Sequence, residues 1–469
     1  MPDGLYLAID QGGQSTRAIV FDRAGTTIAA SNRSVSTQHP AGPEFVEHDP
    51  EELIDSILES VADVVANVKS QGQPIVQAGL ATQRSSIVCW DRETGAALSP
   101  VISWQDTRAA DLLRQRSPDE AMVRSITGLT SSPHYGASKL RWCLENIEDV
   151  RRSHAKGLLA MGPLAAFIIH RLTRERALLV DPVNASRTLL WDSHTLDWSE
   201  TLLAAFAIPA EVLPVCVYNR SDFGHLKTNG IPLGVCTGDQ NAAIFAGGEL
   251  RRGVAYLNIG TGAFILAQID AGASKNDLLQ SVIWAAGNEV TRVMEGTVNG
   301  AGSALAAHHA TPEKIVRAAA AISTSNIPLY LNGHAGLGSP YWREQFTSQF
   351  IGHGDDATKL TAVVESILFL IQVNLEQLCR SAAISTIFVS GGLSRNDDVC
   401  QGIADLSGMV VSRPDETEAT ARGLAYLVAG RPAEWSKAKQ TQFKPAVGQN
   451  RLRERFSAWL TEMAMALKR

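Results

Sequence analysis

The chain has 469 residues, of which 45% are hydrophobic and 19% charged, and its formal net charge is −6. This length exceeds what one hydrophobic core usually serves, so two large domains are expected. The acidic balance and the lack of a basic stripe argue against a nucleic-acid or membrane partner. The hydrophobic fraction excludes the disordered and fibrous classes.

Cysteine usage and the N-terminus predict a cytoplasmic protein. The six cysteines form no CxxC pair, and we expect reduced, buried thiols. The N-terminus enters a strand-like run without the basic start and apolar stretch of a signal peptide. The most apolar segment, residues 157–169, falls short of the roughly 20 residues of a membrane span and predicts a buried helix. A homodimer is left open.

The first predicted element is a hairpin with a glycine-rich tip. Residues 5–22 follow the order apolar strand, glycine turn, apolar strand. Helical spacing of apolar residues predicts helices over 51–69, 361–380 and 451–468. Strands alternating with helices indicate an α/β architecture.

A second hairpin, over residues 255–267, repeats the design of the first and suggests two related halves. A third glycine turn at 390–396 follows a β-branched run and precedes a helix predicted to begin at Asp397. The segment 248–253 before the second hairpin is the predicted boundary. We therefore expect an N-terminal domain over 1–247 and a C-terminal domain over 248–469.

Phosphoryl transfer requires backbone amides around the phosphates, a carboxylate for magnesium and a base near the acceptor hydroxyl. In the first hairpin, Gly12 and Gly13 let the backbone approach a phosphate, and Ser15 and Thr16 can donate hydrogen bonds. Asp10, at the strand end, is placed for the metal. The alternative is an ordinary tight hairpin in which Asp10 accepts turn amides.

The turn Gly260-Thr261-Gly262 of the second hairpin has the same two interpretations. Taken together, the two hairpins could close on phosphates from opposite lobes. The third turn, Gly391-Gly392, suits a nucleotide contact at a strand end.

Asp239 follows an apolar run and opens an alanine-rich helix, so it is a candidate base or a plain helix cap. Arg84 and Trp104 also follow apolar strands, where polar and aromatic groups suit a small hydroxylated ligand. In the alternative, Arg84 pairs with a surface carboxylate and Trp104 fills a core. Only their combination argues for a pocket.

Over nearly the whole chain and in the same order, these motifs resemble the FGGY carbohydrate kinases, and within that family the glycerol kinases. The matching stretches are Ile9-Asp10-Gln11-Gly12, Val46-Glu47-His48-Asp49-Pro50, Asn184-Ala185-Ser186-Arg187-Thr188, His194-Thr195-Leu196-Asp197-Trp198, Gly238-Asp239-Gln240, Gly260-Thr261-Gly262, Gly336-Leu337-Gly338-Ser339-Pro340-Tyr341-Trp342 and Gly391-Gly392.

The resemblance implies a two-lobed, actin-like ATPase fold of the ribonuclease H type, with a duplicated domain and a central cleft where ATP meets a sugar or polyol. It implies that Asp239 deprotonates the acceptor hydroxyl and that Asp10 organises Mg²⁺. The other residues it assigns fall into an ATP group and an acceptor group. The ATP group is Gly260, Thr261, Gly302, Gly392 and Asn396, and the acceptor group is Arg84, Trp104, Gln240 and Phe264.

The sequence departs from the family pattern at both sites. Where glycerol kinases carry two threonines after the hairpin glycine, this chain has Gly13 and Gln14. Ser85 replaces the glutamate that follows the pocket arginine. His134 replaces the pocket tyrosine, unless a one-residue shift leaves Tyr135 there. Loss of the glutamate should weaken glycerol binding and could admit a longer polyol or a ketose.

Two rival functions share this fold. A non-catalytic ATP- and sugar-binding regulator fits the altered first hairpin, but retention of Asp10, Asp239, Gly260 and Thr261 argues against it. An ATP-hydrolysing chaperone would require a peptide-binding domain, for which the remaining chain is too short.

Overall fold

The computed structural model describes residues 4–69, 72–270, 277–322, 327–416, 418–436, 439–448 and 450–468. The chain forms two compact units, and both are discontinuous in sequence. The first unit comprises Met1–Leu250, Ser281–Thr291 and Glu416–Lys437, and the second comprises Arg251–Gln280, Arg292–Asp415 and Ala438–Arg469. A single boundary between 247 and 248 does not describe the two returns of the chain to the first unit, and it stays a prediction.

Strands and helices alternate along the chain. The strands are β1 (Leu5–Gln11), β2 (Ser15–Phe21), β3 (Thr27–Ser34), β4 (Glu47–His48), β5 (Ile75–Thr82), β6 (Ile87–Asp91), β7 (Val101–Ile102), β8 (Leu159–Pro163), β9 (Leu179–Val180), β10 (Trp191–Asp192), β11 (Asp197–Trp198), β12 (Val215–Cys216), β13 (Leu233–Gly238), β14 (Val254–Ile259), β15 (Ala263–Ile269), β16 (Leu279–Ala286), β17 (Glu289–Val298), β18 (Leu329–Leu331), β19 (Gln349–Ile351), β20 (Thr386–Ser390), β21 (Val410–Pro414) and β22 (Gln440–Phe443). The helices are α1 (Pro50–Lys69), α2 (Ala110–Arg116), α3 (Glu120–Thr127), α4 (Gly136–Asn146), α5 (Glu148–Ala155), α6 (Leu164–Leu172), α7 (Pro182–Ser186), α8 (Glu200–Phe206), α9 (Asp239–Ala243), α10 (Gly302–Ala307), α11 (Pro312–Ala320), α12 (Asp356–Cys379), α13 (Asp397–Ser407), α14 (Ala419–Val428) and α15 (Arg451–Ala466).

The first unit is built on a five-stranded sheet of order β13-β5-β1-β2-β3. Strand β1 is buried along its whole length, as expected for its apolar sequence, and it pairs antiparallel with β2 and parallel with β5. Helix α1 packs on β2 and β3, while α14 packs on β1 and α9. A smaller sheet of order β4-β7-β6-β8 carries the turn before Trp104.

The second unit repeats this pattern. Its main strands belong to a seven-stranded sheet of order β16-β17-β15-β14-β20-β21-β22, with β14 antiparallel to β15 and parallel to β20. The hairpin β14–β15 therefore has the place that β1–β2 has in the first unit. Helix α12 crosses the apolar core of this unit. By length and composition α12 could cross a membrane, but 78% of its most apolar window is buried, as in the core helix of a folded domain.

The structure confirms both hairpins, the helices predicted over 51–69, 361–380 and 451–468 within a few residues at each end, and the helix start at Asp397. The helix predicted over 157–169 is wrong in its first half. There the chain forms β8, which pairs with β6, and Pro163 ends that strand before α6 begins. Strand pairing with a distant segment overrides the local apolar pattern.

All six cysteines are free thiols. The expectation that all are buried is wrong for Cys379, which is exposed, and for Cys216, which is half-buried.

Candidate active site

The first hairpin turns at residues 12–14. The Gly12 amide donates to the Ser15 carbonyl at 2.9 Å, and the Gln11 side chain donates to the Gly12 carbonyl at 2.6 Å. A Cβ at Gly12 would lie 3.3 Å from the Ser15 carbonyl oxygen, so the lack of a side chain at Gly12 allows the two strands to approach closely. Gly12, Gly13 and Ser15 are all partly exposed at this tip. Their backbone is thus accessible to a ligand.

Thr16 does not fit the phosphate contact predicted for it. Its side chain is fully buried, and its hydroxyl lies 2.7 Å from Ser56 Oγ of α1. Because Ser56 Oγ donates to the Leu53 carbonyl at 2.7 Å, the Thr16 hydroxyl is the donor in this pair. The sequence could not show this contact, which joins residues 40 positions apart.

Asp10 lies at the end of β1 and is 5% exposed. Arg17 is its cross-strand partner in β2, with Nη1 3.7 Å from the Asp10 carboxylate, and Arg17 Nε lies 3.5 Å from Glu418. Burial, together with the negative charge of Asp239, raises the pKa of Asp10 to about 7, with Arg17 opposing the shift. Asp10, Asp239 and Glu418 together therefore place more negative charge around Asp10 than Arg17 neutralises.

Asp239 lies at the same edge of the sheet as Asp10. In the parallel strands, Asp10 pairs with Ala81 of β5, and the next residue, Thr82, pairs with Gly238 at the end of β13. Carboxyl ends of parallel strands gather side chains at one edge, where α/β proteins bind ligands. Burial raises the pKa of Asp239, and Arg84 opposes that shift.

The helix-cap alternative for Asp239 is only partly fulfilled. Gly238 is the cap residue of α9 and Asp239 is the first residue of the helix, with its carboxylate accepting from the Gln240 amide at 2.6 Å. The carboxylate also accepts from the amide of Asp239 itself. Asp239 thus begins the helix, and its role as a base stays a prediction.

Arg84 follows β5 and contacts the start of α9. Its guanidinium donates to the side-chain oxygens of Gln240 and Asn241, the latter at 2.9 Å. A Cβ at Gly238 would lie 2.6 Å from the Arg84 side chain, so the glycine lets the arginine cross the end of β13. Arg84 therefore holds the first turn of α9, directly after Asp239.

Ser85, Trp104 and His134 lie in neighbouring turns of the first unit. The Trp104 amide donates to Ser86 Oγ at 3.0 Å, and His134 Nδ1 donates to the Trp104 carbonyl at 3.0 Å. Trp104 is 40% exposed and so is not a core residue. His134 therefore lies beside Trp104, and the choice between His134 and Tyr135 as the pocket residue stays open.

In the second unit, the tip of the β14–β15 hairpin meets the start of α10. The Gly260 carbonyl accepts from the Gly302 amide at 3.0 Å, and the Thr261 carbonyl accepts from the amides of Ala301 and Ser303. A Cβ at Gly302 would lie 2.6 Å from the Gly260 oxygen. The Thr261 side chain is exposed at the tip. The two predicted ATP segments are therefore joined by their backbones.

The turn after β20 packs against the same hairpin. Gly391 has φ 92°, and a Cβ there would lie 2.6 Å from the Ile259 carbonyl oxygen, so a side chain would be strained and would clash. Gly392 faces open space. Asn396 caps α13, accepting from the Val399 amide at 3.1 Å. Phe264 lies in β15 opposite Asn258 and is half-buried.

Within the described parts of the chain, no group of three or more His, Cys, Asp and Glu side chains is placed to hold a metal ion. A metal carried by an oxygen-rich substrate needs fewer protein ligands, because Mg²⁺ keeps waters and uses substrate phosphates. The buried carboxylate of Asp10 and the half-buried carboxylate of Asp239, with Arg17 as the cation beside Asp10, fit that kind of site.

Comparisons with known proteins agree with this arrangement. Residues 5–246 match the N-terminal domain, and residues 255–430 the C-terminal domain, of the FGGY family of carbohydrate kinases. A glycerol kinase of Burkholderia ambifaria (strain MC40-6) is 31% identical over 486 residues, which cover 98% of this chain and 97% of that protein. One of Ectopseudomonas mendocina (strain ymp) is 32% identical, covering 97% of each.

Solved structures show the same fold. The crystal structure of Plasmodium falciparum glycerol kinase with ADP matches with TM-score 0.88 at 23% identity, covering 99% of this chain and 98% of that one. Ligand-bound xylulose kinase from Lactobacillus acidophilus matches with TM-score 0.84 at 18% identity, covering 99% and 98%.

The chain thus has an actin-like ATPase fold with two related sugar-kinase domains. The chain belongs to the FGGY family of carbohydrate kinases. It is a kinase, and ATP is the phosphate donor of its family.

Three residues around Asp10 and Arg84 were not predicted from the sequence. Arg17 and Glu418 form the charged surroundings of Asp10, and Asn241 holds Arg84. Arg17 could have been found, because a cross-strand neighbour follows from the hairpin register. Glu418 could not, since it comes from a return of the chain more than 400 residues later.

Proposed function

We propose that this kinase transfers the γ-phosphoryl group of ATP to a hydroxyl of a small sugar or polyol, with Asp239 as the general base. The observation that carries the proposal is the pair of Asp10 and Asp239 at one sheet edge, with Arg84 and Gln240 beside Asp239. A buried carboxylate with a raised pKa is a better proton acceptor than an exposed one.

The acceptor hydroxyl would attack the γ-phosphorus in line while its proton passes to the carboxylate of Asp239. The O–P bond to the acceptor forms as the bond to the ADP leaving oxygen breaks. Arg84 fixes Gln240 and so the start of α9, which keeps the Asp239 carboxylate in place.

Asp10 is the proposed residue for Mg²⁺. When bound, Mg²⁺ would neutralise phosphate charge, and the excess negative charge around Asp10 suits a divalent cation. Arg17 balances part of that charge and orients the carboxylate.

ATP would contact backbone at the hairpin tips and turns. We assign the phosphates to Gly12, Gly13, Ser15, Gly260 and Thr261, whose tips are partly or fully exposed. We assign the adenosine part of ATP to a second group of residues, Gly302, Gly391, Gly392 and Asn396. In this group the open space beside Gly392 leaves room for a ligand.

In the first unit the acceptor would lie against Arg84, Trp104, His134 and Gln240, with Ser85 in the position of a family glutamate. Phe264, in the second unit, stays a predicted acceptor residue. A serine is short and uncharged, so the site loses a charge-assisted hydrogen bond of about 1.5–3 kcal/mol to a glycerol hydroxyl. The freed space favours a longer polyol or a ketose over glycerol.

Two statements about the whole protein remain predictions. The six free cysteines, with no CxxC pair in the sequence, favour the cytoplasm. A homodimer would be tested by light scattering coupled to size exclusion.

The test is coupled ADP release with Mg-ATP against glycerol, erythritol, the pentitols, ribulose and xylulose. We expect selective turnover of one acceptor, with a phosphorylated product in equal amount. ATP binding without ADP release on every acceptor would contradict the proposal and favour a regulator.

A further inference from the structure

Lys139 is a buried cation that the proposed mechanism does not use. It lies in α4 and its side chain is fully buried. Burying an ammonium group is costly unless hydrogen bonds and charges compensate it. Such a residue must therefore be held by specific partners.

Those partners are two backbone carbonyls at the predicted acceptor residues. Lys139 Nζ donates to the Ser85 carbonyl at 3.0 Å and to the Ser103 carbonyl at 2.9 Å. Ser85 follows Arg84 after β5, and Ser103 precedes Trp104 after β7. One ammonium group thus joins the two turns.

The turn at Ser85 is strained. Ser85 has φ 65°, a left-handed conformation that a residue with a Cβ adopts at a cost. The next residue, Ser86, accepts from the Trp104 amide at 3.0 Å and donates to Gln83 at 2.9 Å. Ser86 and Lys139 are therefore two links between the same turns, and the Lys139 link is the one at the strained carbonyl.

Among the described residues, no carboxylate forms a direct ion pair with Lys139 that would explain its burial. Burial lowers the pKa of Lys139 to about 7, with Asp106 opposing this shift and Arg108 adding to it. Asp106 is itself engaged with the Val46 amide at 2.7 Å and with Arg108. The two carbonyls are the hydrogen-bond acceptors of the ammonium group.

We propose that Lys139 is a positioning residue of the acceptor pocket, which sets the spacing between the Ser85 turn and Trp104. The inference rests on the proposed function, since it takes these turns to be the acceptor site. Lys139 touches neither acceptor nor ATP.

The test replaces Lys139 by Met, which keeps the length of the side chain and removes its donors. We expect the KM of the acceptor that the wild-type protein turns over fastest to rise at least about 10-fold, and the KM of ATP to change less than about 2-fold. Lys227→Met is the matched control, because Lys227 also donates to a carbonyl, that of Arg171, at 2.7 Å. The control should leave both constants unchanged.

Lys139→Gln is the second variant if Lys139→Met does not fold. Its shorter amide keeps a donor, and we expect a smaller rise in acceptor KM. A folded variant with acceptor KM within about 3-fold of wild type, or with equal rises for acceptor and ATP, would overturn the proposal. Failure of both variants to fold would also overturn it, since Lys139 would then serve the fold rather than the pocket.

Hydrogen exchange separates this inference from the proposed function. In Lys139→Met, amides of residues 84–87 and 103–106 should exchange at least about 10-fold faster than in Lys227→Met, with the rest of the first unit unchanged. If the wild-type protein releases no ADP with any acceptor, the proposed function fails. The role of Lys139 is then judged by exchange alone, and unchanged exchange in these two segments of Lys139→Met would overturn it.

Discussion

Asp10 and Asn258 occupy the same place in two copies of one sheet, each two residues before the glycine of its hairpin. Asp10 is buried and ion-paired with Arg17, and its pKa is raised. Asn258 is exposed and donates to Ser390 Oγ at 3.1 Å. The duplicated backbone is therefore kept while the charge is confined to the first copy.

The surroundings of the two hairpins differ in the same way. The first faces Asp239 and the cations Arg17 and Arg84. The second is joined by backbone contacts to Gly302 and Gly391, where a Cβ would clash. The two copies therefore keep one backbone pattern, but charged side chains surround the first hairpin, whereas close backbone contacts surround the second.

The largest expected effect comes from removing the charge that distinguishes the copies. Asp10→Asn should lower kcat by about 100-fold or more, because it deletes the proposed metal carboxylate and keeps its shape. Steady-state kinetics over a range of Mg²⁺ concentrations measures this. Exposed Asp111, paired with Arg114 on the surface, provides the control Asp111→Asn. A kcat within a few-fold of wild type would remove Asp10 from the chemistry.

The next effect concerns specificity, which the account places in the first unit. Ser85→Glu should raise kcat/KM for glycerol by about 10- to 100-fold, as a charge-assisted hydrogen bond of about 1.5–3 kcal/mol is restored. The same change should lower kcat/KM for the natural acceptor. If glycerol turnover is unchanged, Ser85 does not face the acceptor.

Stability effects should separate two adjacent glycines of the second unit. Gly391→Ala should lower the free energy of unfolding by about 1–3 kcal/mol, since its Cβ meets the Ile259 backbone at φ 92°. Gly392→Ala meets open space and should change it by less than about 0.5 kcal/mol. Thermal denaturation compares the two variants, and equal melting temperatures would contradict the packing described for Gly391.

The smallest effect is expected at the neutral counterpart of Asp10. Asn258→Ala removes one exposed hydrogen bond to Ser390 and should cost about 0.5–1.5 kcal/mol or less, with kcat close to wild type. Kinetics run beside Asp10→Asn sharpens the comparison. A kcat loss as large as that of Asp10→Asn would show that the second hairpin also carries chemistry.

Much of the fold was predictable because its signals are local. The glycine hairpins, the helix start at Asp397 and the long helix α12 all follow from spacing and turn residues within about 20 positions. The resemblance to the FGGY family supplied the architecture, which the comparisons confirm.

The parts that failed depend on distant segments. Residues 159–163 form a strand because β6 pairs with them. Thr16 does not face the site because its hydroxyl donates a hydrogen bond to Ser56 Oγ. Glu418 and the link from Lys139 to Ser85 join residues far apart in sequence. No local pattern encodes such contacts, so their roles emerge only from the structure.

The proposed role of Asp239 as the general base is tested most directly by the turnover and ATP affinity of Asp239→Asn, measured side by side with the wild-type protein. A positioned general base contributes about 100- to 10,000-fold, so kcat should fall by at least that order while the Kd of ATP stays within about 2-fold. Near-normal turnover would remove Asp239 from the mechanism, and a parallel loss of ATP affinity would contradict the division of duties between the two units.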